Sequence, residues 1–363
     1  MISVPSFAKI NLGLKIGPAR PDGFHELRTI YQTLALHDTI RVDVVAGEGI
    51  EIRCSDPRVP RDRSNTCYKV AERVLALLGE TQYPHQQSGV GAELYGTAHA
   101  ARIQHDLGKS SRGKVVIEIE KRLPVQGGLG AASSNAVATM LALERALGVA
   151  VSPRDKLRIA ADVGSDLPLF LIGGTVLGVG RGEEVFPLPD LPSMHVVVVT
   201  PSVGVSTPGA FARWDELNPA NAALTGIPAK GTISEFSRRV FQWLSASFPV
   251  SGVPAGGGDR AETPLLDLVR AGIENDFEQV VFPEYPDLRE VKVVLLREGA
   301  FYASLSGSGS TLYGLFESEL QARSAAERMS AAGHAAVATR TLTRAEYWEQ
   351  LAAGSQQPIS SSR

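Results

Sequence analysis

Near the start of the chain Ile10, Leu12, Leu14 and Ile16 alternate with Lys9, Asn11, Gly13 and Lys15. A period of two places the apolar set on one face of a strand and displays Lys9 and Asn11 together on the other. Residues 39–45, TIRVDVV, repeat that period. After Asn65 the stretch CYKVAERVLALLG changes to helical spacing and ends on Gly79, a C-cap signal. Residues 80–113 are polar and aperiodic, rich in His, Gln, Gly and Ser, and read as a long surface insertion. Alternation returns over 114–123, KVVIEIEKRL, and runs straight into LPVQGGLGAASSN, residues 123–135. Beyond it Val137, Met140, Leu141, Leu143 and Leu147 recur at three- and four-residue steps up to Gly148. The predicted order is strand, glycine loop, helix.

A second helix is predicted over 154–164, followed by the breaker-rich GSDLPLFLIGGTVLGVGRG leading into strands. Three prolines in PLPDLPS, residues 187–193, divide the chain into expected domains at 1–187 and 188–350, with a flexible tail over 351–363. The second part opens on the strand HVVVVTP. It continues through polar loops at 215–233 and 250–264 and helices near 265–280 and 286–299 to SLSGSGSTLYGLF. No internal repeat is visible.

Composition narrows the function classes. With 363 residues and 44% hydrophobic content the chain suits two ordinary globular domains. A formal net charge of −3 with both signs interspersed gives no footprint for nucleic acid or an anionic membrane, so an anion must be met by a local site. The opening MISVPSFAKINLG lacks a basic segment followed by an apolar one, and no run of about eighteen apolar residues occurs, which reads as a cytoplasmic protein. Cys54 and Cys67 fit neither a disulfide framework nor a metal pattern and read as buried thiols. The seven histidines show no paired ligand spacing, so no metal held by the protein itself is expected.

Strand, glycine loop and helix together present backbone N–H groups and the positive helix end to a phosphate. The loop has no lysine of the G-x-x-x-x-G-K-[ST] type, and a second helix follows the first before any strand, unlike a dinucleotide-binding unit. A glycine turn closed by a serine cap would also account for it taken alone. Ser133 and Ser134 can act as cap and as donors to phosphate or ligands to Mg²⁺.

Five stretches occur in order: PSFAKINLGLKI, PDGFHEL, LPVQGGLGAASSNA, GSDLPLF and SGSGSTLYGLF. In them the chain resembles the GHMP small-molecule kinases, across nearly its whole length. The resemblance implies an α+β, two-domain fold, a ribosomal protein S5 domain 2-like N-terminal domain plus a ferredoxin-like C-terminal one, with the active cleft between them. It implies ATP as phosphoryl donor, a requirement for Mg²⁺ and a small-molecule acceptor. The opening motif with DGFH is similar to the branch whose acceptor is a cytidine diphosphate derivative of methylerythritol. The runner-up acceptors are homoserine, mevalonate or a sugar, and a monomer or a homodimer are both open. An inactive nucleotide-binding sensor would have lost the family's aspartate or lysine, and both are present.

Residue by residue, Asp166 matches the family's catalytic aspartate and Lys9 the lysine that keeps it ionised and offsets charge on the transferred group. Pro124, Val125, Gln126, Gly127, Gly128, Leu129, Gly130, Ala131, Ala132, Ser133 and Ser134 match the loop that closes on the triphosphate. Relatives often read GGGLGGGSS there, so Gln126, Ala131 and Ala132 replace glycines. Asn65 and Lys121 fall at the adenine side, although an asparagine before a helix also serves as a plain N-cap. Asn11 would contact the acceptor near its reacting end, His25 would hydrogen-bond cytosine, and Phe24 and Phe211 would stack on it. Ser308 and Gly309 either line the cleft beside that substrate or simply form a tight turn.

Overall fold

The computed structural model describes residues 1–81, 113–125, 127–219, 233, 235–238, 240 and 273–353. Gln126, nearly all of the 80–113 insertion, the loops from 220 to 232 and 250 to 264, much of the helix expected near 265–280 and the tail from 354 lie outside the described residues.

Two long strands, β1 (Ile2–Ala19) and β2 (His25–Val45), pair antiparallel along almost their full length. The first half of β2 takes on β5 (Thr175–Val179) and its second half β4 (Lys114–Glu120). β3 (Ile50–Cys54) runs parallel to β4, and β6 (Glu184–Pro187) pairs with β5. The alternation predicted a half-buried strand with a polar face; instead both faces of β1 are covered, and Lys9 and Asn11 are buried. Register shifts between Phe7 and Lys9, and between Asn11 and Gly13, interrupt the pairing on either side of these two residues.

The helices α1 (Thr66–Thr81), α2 (Ala131–Leu147), α3 (Pro153–Val163) and the short α4 (Leu167–Phe170) belong with this sheet. Val70 and Val74 of α1 and Val137 and Met140 of α2 join Ile40 and Ile117 in one core. α1 continues through Gly79, whereas α2 stops where expected, at Gly148 with φ 64°. Ser152 caps α3 by accepting from the Asp155 N–H at 3.1 Å. Both cysteines are buried and free, and burial pushes the Cys67 thiol up to about 12.

The second sheet contains β7 (His195–Val199), β8 (Tyr302–Leu305), β9 (Leu312–Phe316) and β10 (Ala336–Arg340), all antiparallel in the order β10-β7-β9-β8. With α5 (Thr207–Leu217), α6 (Glu278–Glu284) and α7 (Pro286–Arg297) before β8, and α8 (Glu319–Ala331) before β10, this is the ferredoxin-like arrangement. A third apolar cluster, including Ile10, Leu12, Val196, Val198 and Tyr313, joins the two sheets. The last helix, α9 (Arg344–Ala353), turns back to the first sheet. Its Tyr347 hydroxyl donates to the Phe170 carbonyl at 2.6 Å, and Tyr347 and Leu351 sit in the first core.

Candidate active site

Lys9 is carried into the interior by β1, and its Nζ stands 3.4 Å from Oδ2 of Asp166, the residue that opens α4. Asp166 is one-third exposed, so one side of the carboxylate faces the cleft while the other meets the protein. The same ammonium donates to Oδ1 of Asn11 at 2.7 Å, and the Asn11 amide donates in turn to the Thr29 hydroxyl at 2.7 Å. Asn11 therefore fixes the position of the lysine. From β2 the Tyr31 hydroxyl donates to Oδ1 of Asp166 at 3.0 Å, and Lys9 lies 5.5 Å from the centre of the Tyr31 ring.

The glycine loop is bonded directly to this strand, since the Lys9 N–H donates to the Leu129 carbonyl at 2.9 Å. Gly128 and Gly130 have φ of 86° and 69°, and each lacks room for a side chain. A Cβ on Gly128 would fall 2.2 Å from the Ser306 carbonyl oxygen, and one on Gly130 would meet Phe170 at 2.9 Å and the Lys9 side chain at 3.0 Å. α2 begins at Gly130 with no side chain capping it, which leaves its positive end turned to the cleft without a built-in acceptor. Ala131, Ala132 and Ser133 line the cleft there, but Ser134 does not: it is buried, and its hydroxyl accepts from Ser6 at 2.8 Å.

The SGSGS segment is the β8–β9 turn and also a brace for the loop. Gly309 is packed on the Gly127–Gly128 backbone, the Ser306 hydroxyl donates to the Gly128 carbonyl at 3.0 Å, and the Thr311 N–H donates to the Gly127 carbonyl at 3.2 Å. Ser308 shares a 2.7 Å hydrogen bond with Thr207, a residue of the cleft wall.

The cleft has a volume of about 520 Å³ and runs from Asp166 along the loop, past Pro124 and Val125, to Arg58, Asn65 and Lys121. Asn65 uses both ends of its amide on the backbone, accepting from the Cys67 N–H at 2.8 Å and donating to the Pro60 carbonyl at 2.6 Å, so it acts here as the N-cap of α1. Lys121 is paired with Asp38, which is fully buried and also accepts from the Arg122 and Leu123 N–H groups, both at 2.7 Å, and from Asn135 at 3.1 Å. One carboxylate thus ties the strand entering the glycine loop to the helix leaving it.

Six residues along β2 from Tyr31, His25 is buried and stacked on Phe211, rings 5.0 Å apart and 13° from parallel. Its Nε2 lies 2.7 Å from Oδ1 of Asp215. Phe211 and Asp215 both come from α5, whose start is fixed by a Ser206 cap. Phe24 is 51% exposed, with the Arg181 guanidinium 4.9 Å over its ring. Tyr31, Asp38 and Asp215 carry no motif of their own. The available signal was register for Tyr31, which lies opposite Asn11 across the β1–β2 pair; the partners of Asp38 and Asp215 come from distant segments.

Two family patterns match the chain: GHMP kinases N terminal domain over residues 94–174, which includes the glycine loop and Asp166, and GHMP kinases C terminal over 262–335, which includes the bracing turn. The 4-diphosphocytidyl-2-C-methyl-D-erythritol kinase of Solibacter usitatus is 35% identical over 86% of this chain and 80% of its own length. The chain belongs to the 4-diphosphocytidyl-2-C-methyl-D-erythritol kinase family. The family's member from Moorella thermoacetica is 30% identical over 94% of this chain and 99% of its own. A solved 4-(cytidine 5'-diphospho)-2C-methyl-D-erythritol kinase superposes with a TM-score of 0.64 at 27% identity, covering 93% of this chain and 98% of the other. As a member of this family the chain has the two-domain GHMP fold, and the expected α+β class with two sheets stands.

Proposed function

We propose that the protein transfers the γ-phosphoryl group of ATP to the 2-hydroxyl of the methylerythritol moiety of 4-diphosphocytidyl-2-C-methyl-D-erythritol, releasing the 2-phosphate and ADP. The observation that carries this reading is the Lys9–Asp166 pair beside an uncapped glycine loop, on the same strand pair that holds the His25–Phe211 stack. At ~3.3 Å per residue, the stretch of β2 from Tyr31 to His25 spans about 20 Å, which suits an extended acceptor with a base at one end and a hydroxyl at the other.

Asp166 takes the proton of the acceptor hydroxyl as its oxygen attacks the γ-phosphorus, and the bond from that phosphorus to the bridging oxygen breaks, leaving the electron pair on ADP. Lys9 keeps the carboxylate ionised and offsets the charge that spreads over the transferred group. The backbone of Gly127–Gly130 and the start of α2 hold the phosphates. Mg²⁺ arrives with ATP as part of that substrate and neutralises phosphate charge. Lys121, Asn65 and Arg58 form the wall for the nucleoside. The His25–Phe211–Phe24 group takes cytosine, the feature that homoserine, mevalonate or sugar acceptors leave without a purpose.

The test is ADP release from ATP and Mg²⁺ with the cytidine acceptor, run beside homoserine and mevalonate. Turnover confined to the first, reduced about 10²-fold or more in Asp166→Asn with ATP binding retained, is the expected result. Turnover with another acceptor would discard the cytosine pocket.

A further inference from the structure

We infer that Tyr31 is a positioning residue for the phosphoryl transfer, holding Oδ1 of Asp166 through its hydroxyl so that Oδ2, beside Lys9, is the oxygen presented to the acceptor. The inference rests on Asp166 acting as the base and goes beyond it by dividing the two carboxylate oxygens between two jobs. The geometry is specific at each end. The phenol oxygen is 3.0 Å from Oδ1, and the Lys9 ammonium is 3.4 Å from Oδ2. A carboxylate on a short turn has two soft torsions, and two donors on opposite oxygens remove the freedom that would otherwise be lost on reaching the reactive geometry.

The fold makes room for this ring at the expense of side chains elsewhere. A Cβ on Gly178 would fall 2.5 Å from the Tyr31 ring, and one on Gly182 would fall 2.5 Å from its hydroxyl oxygen. Gly178 belongs to β5, which pairs with β2, and Gly182 to the β5–β6 turn, so this hairpin is shaped around the phenol. Tyr31 is almost fully buried, with Asp166 the acceptor of its hydroxyl. The charged groups facing the pair are Lys9 from β1 and Glu183 from the β5–β6 turn. Burial, reinforced by the carboxylates of Asp166 and Glu183, pushes the phenol well above its ordinary range, so it stays protonated and acts as a donor throughout the working pH.

A neutral donor on Oδ1 favours the ionised form of the carboxylate that it holds. Tyr31→Phe keeps the ring and deletes only that donor. The expected result with ATP and the cytidine acceptor is a fall in kcat of about 5- to 20-fold, an acidic limb of the kcat profile moved up by about half to one pH unit, and KM values for both substrates within about twofold. The thermal midpoint and ATP binding of the variant are measured alongside. A kcat profile of unchanged shape, or a kcat loss that only tracks a lowered midpoint, would overturn the inference and leave Tyr31 as packing. Asp166→Asn is run in parallel: near-normal turnover there would remove the base itself, a failure distinct from that of Tyr31.

Discussion

Asp166 and Lys9 illustrate how much a single side chain owes to neighbours that carry no motif. A lysine on a strand face is ordinarily solvated, yet here Asn11 and Asp166 receive it inside the protein. The motif made both residues legible in the sequence, but Tyr31 and Asp215 were invisible there, because their partners are set by register and by a helix that arrives from another part of the chain. Phe24 is legible by its motif and keeps one aromatic face under Arg181. In the proposed acceptor site Phe24 stacks on cytosine equally in the ground and transition states, so Phe24→Ala should raise KM for the cytidine acceptor about tenfold while kcat stays within about twofold, measured by steady-state kinetics. At Gly128 space and dihedral coincide. Gly128→Ala places a methyl group against the Ser306 carbonyl at a positive φ, and the expected outcome is a rise of about tenfold or more in KM for ATP, read in the same assay.

Among the elements, the glycine loop is held by two devices on opposite sides. The β8–β9 turn braces its floor, and buried Asp38 clamps its entry to its exit. Asp38→Asn removes the charge that pairs with Lys121 and leaves a buried ammonium without its counter-ion. A loss of about 3–5 kcal/mol is expected in chemical denaturation, accompanied by weaker ATP binding in titration calorimetry. Periodicity revealed α2 because Val137, Met140, Leu141 and Leu143 give its buried side large apolar residues, and Gly148 marked its end. It passed over α8, whose buried face is Ala322, Ala325, Ala326 and Met329 and barely contrasts with its surface. It shortened β1 because a strand buried on both sides, with polar residues pointing into a site, loses its alternation where function enters. Asn65 reads as either cap or ligand in the sequence, and its amide is committed to the backbone at both ends.

At the scale of the whole molecule, the order of motifs along the chain was enough to expect two sheets with a cleft between them, but not how far their cores merge. Ile10 and Leu12 of β1 pack with Val196, Val198 and Tyr313 of the second sheet. α9 then returns to the first sheet and seats Tyr347 against Gly173, directly after the segment that positions Asp166. Tyr347→Ala should cost about 3–5 kcal/mol in denaturant unfolding, and a shift in the urea midpoint with the slope retained is the signature of lost packing. The expected domain boundary at 187 follows the chain, whereas the side chains of Leu342, Tyr347 and Leu351 belong with the first core. Synthesis proceeds from the other end. The strands that hold Lys9 leave the ribosome well before the helix that completes the core beneath Asp166. The first core therefore closes only once α9 has been synthesised and has docked, however early its strands emerge.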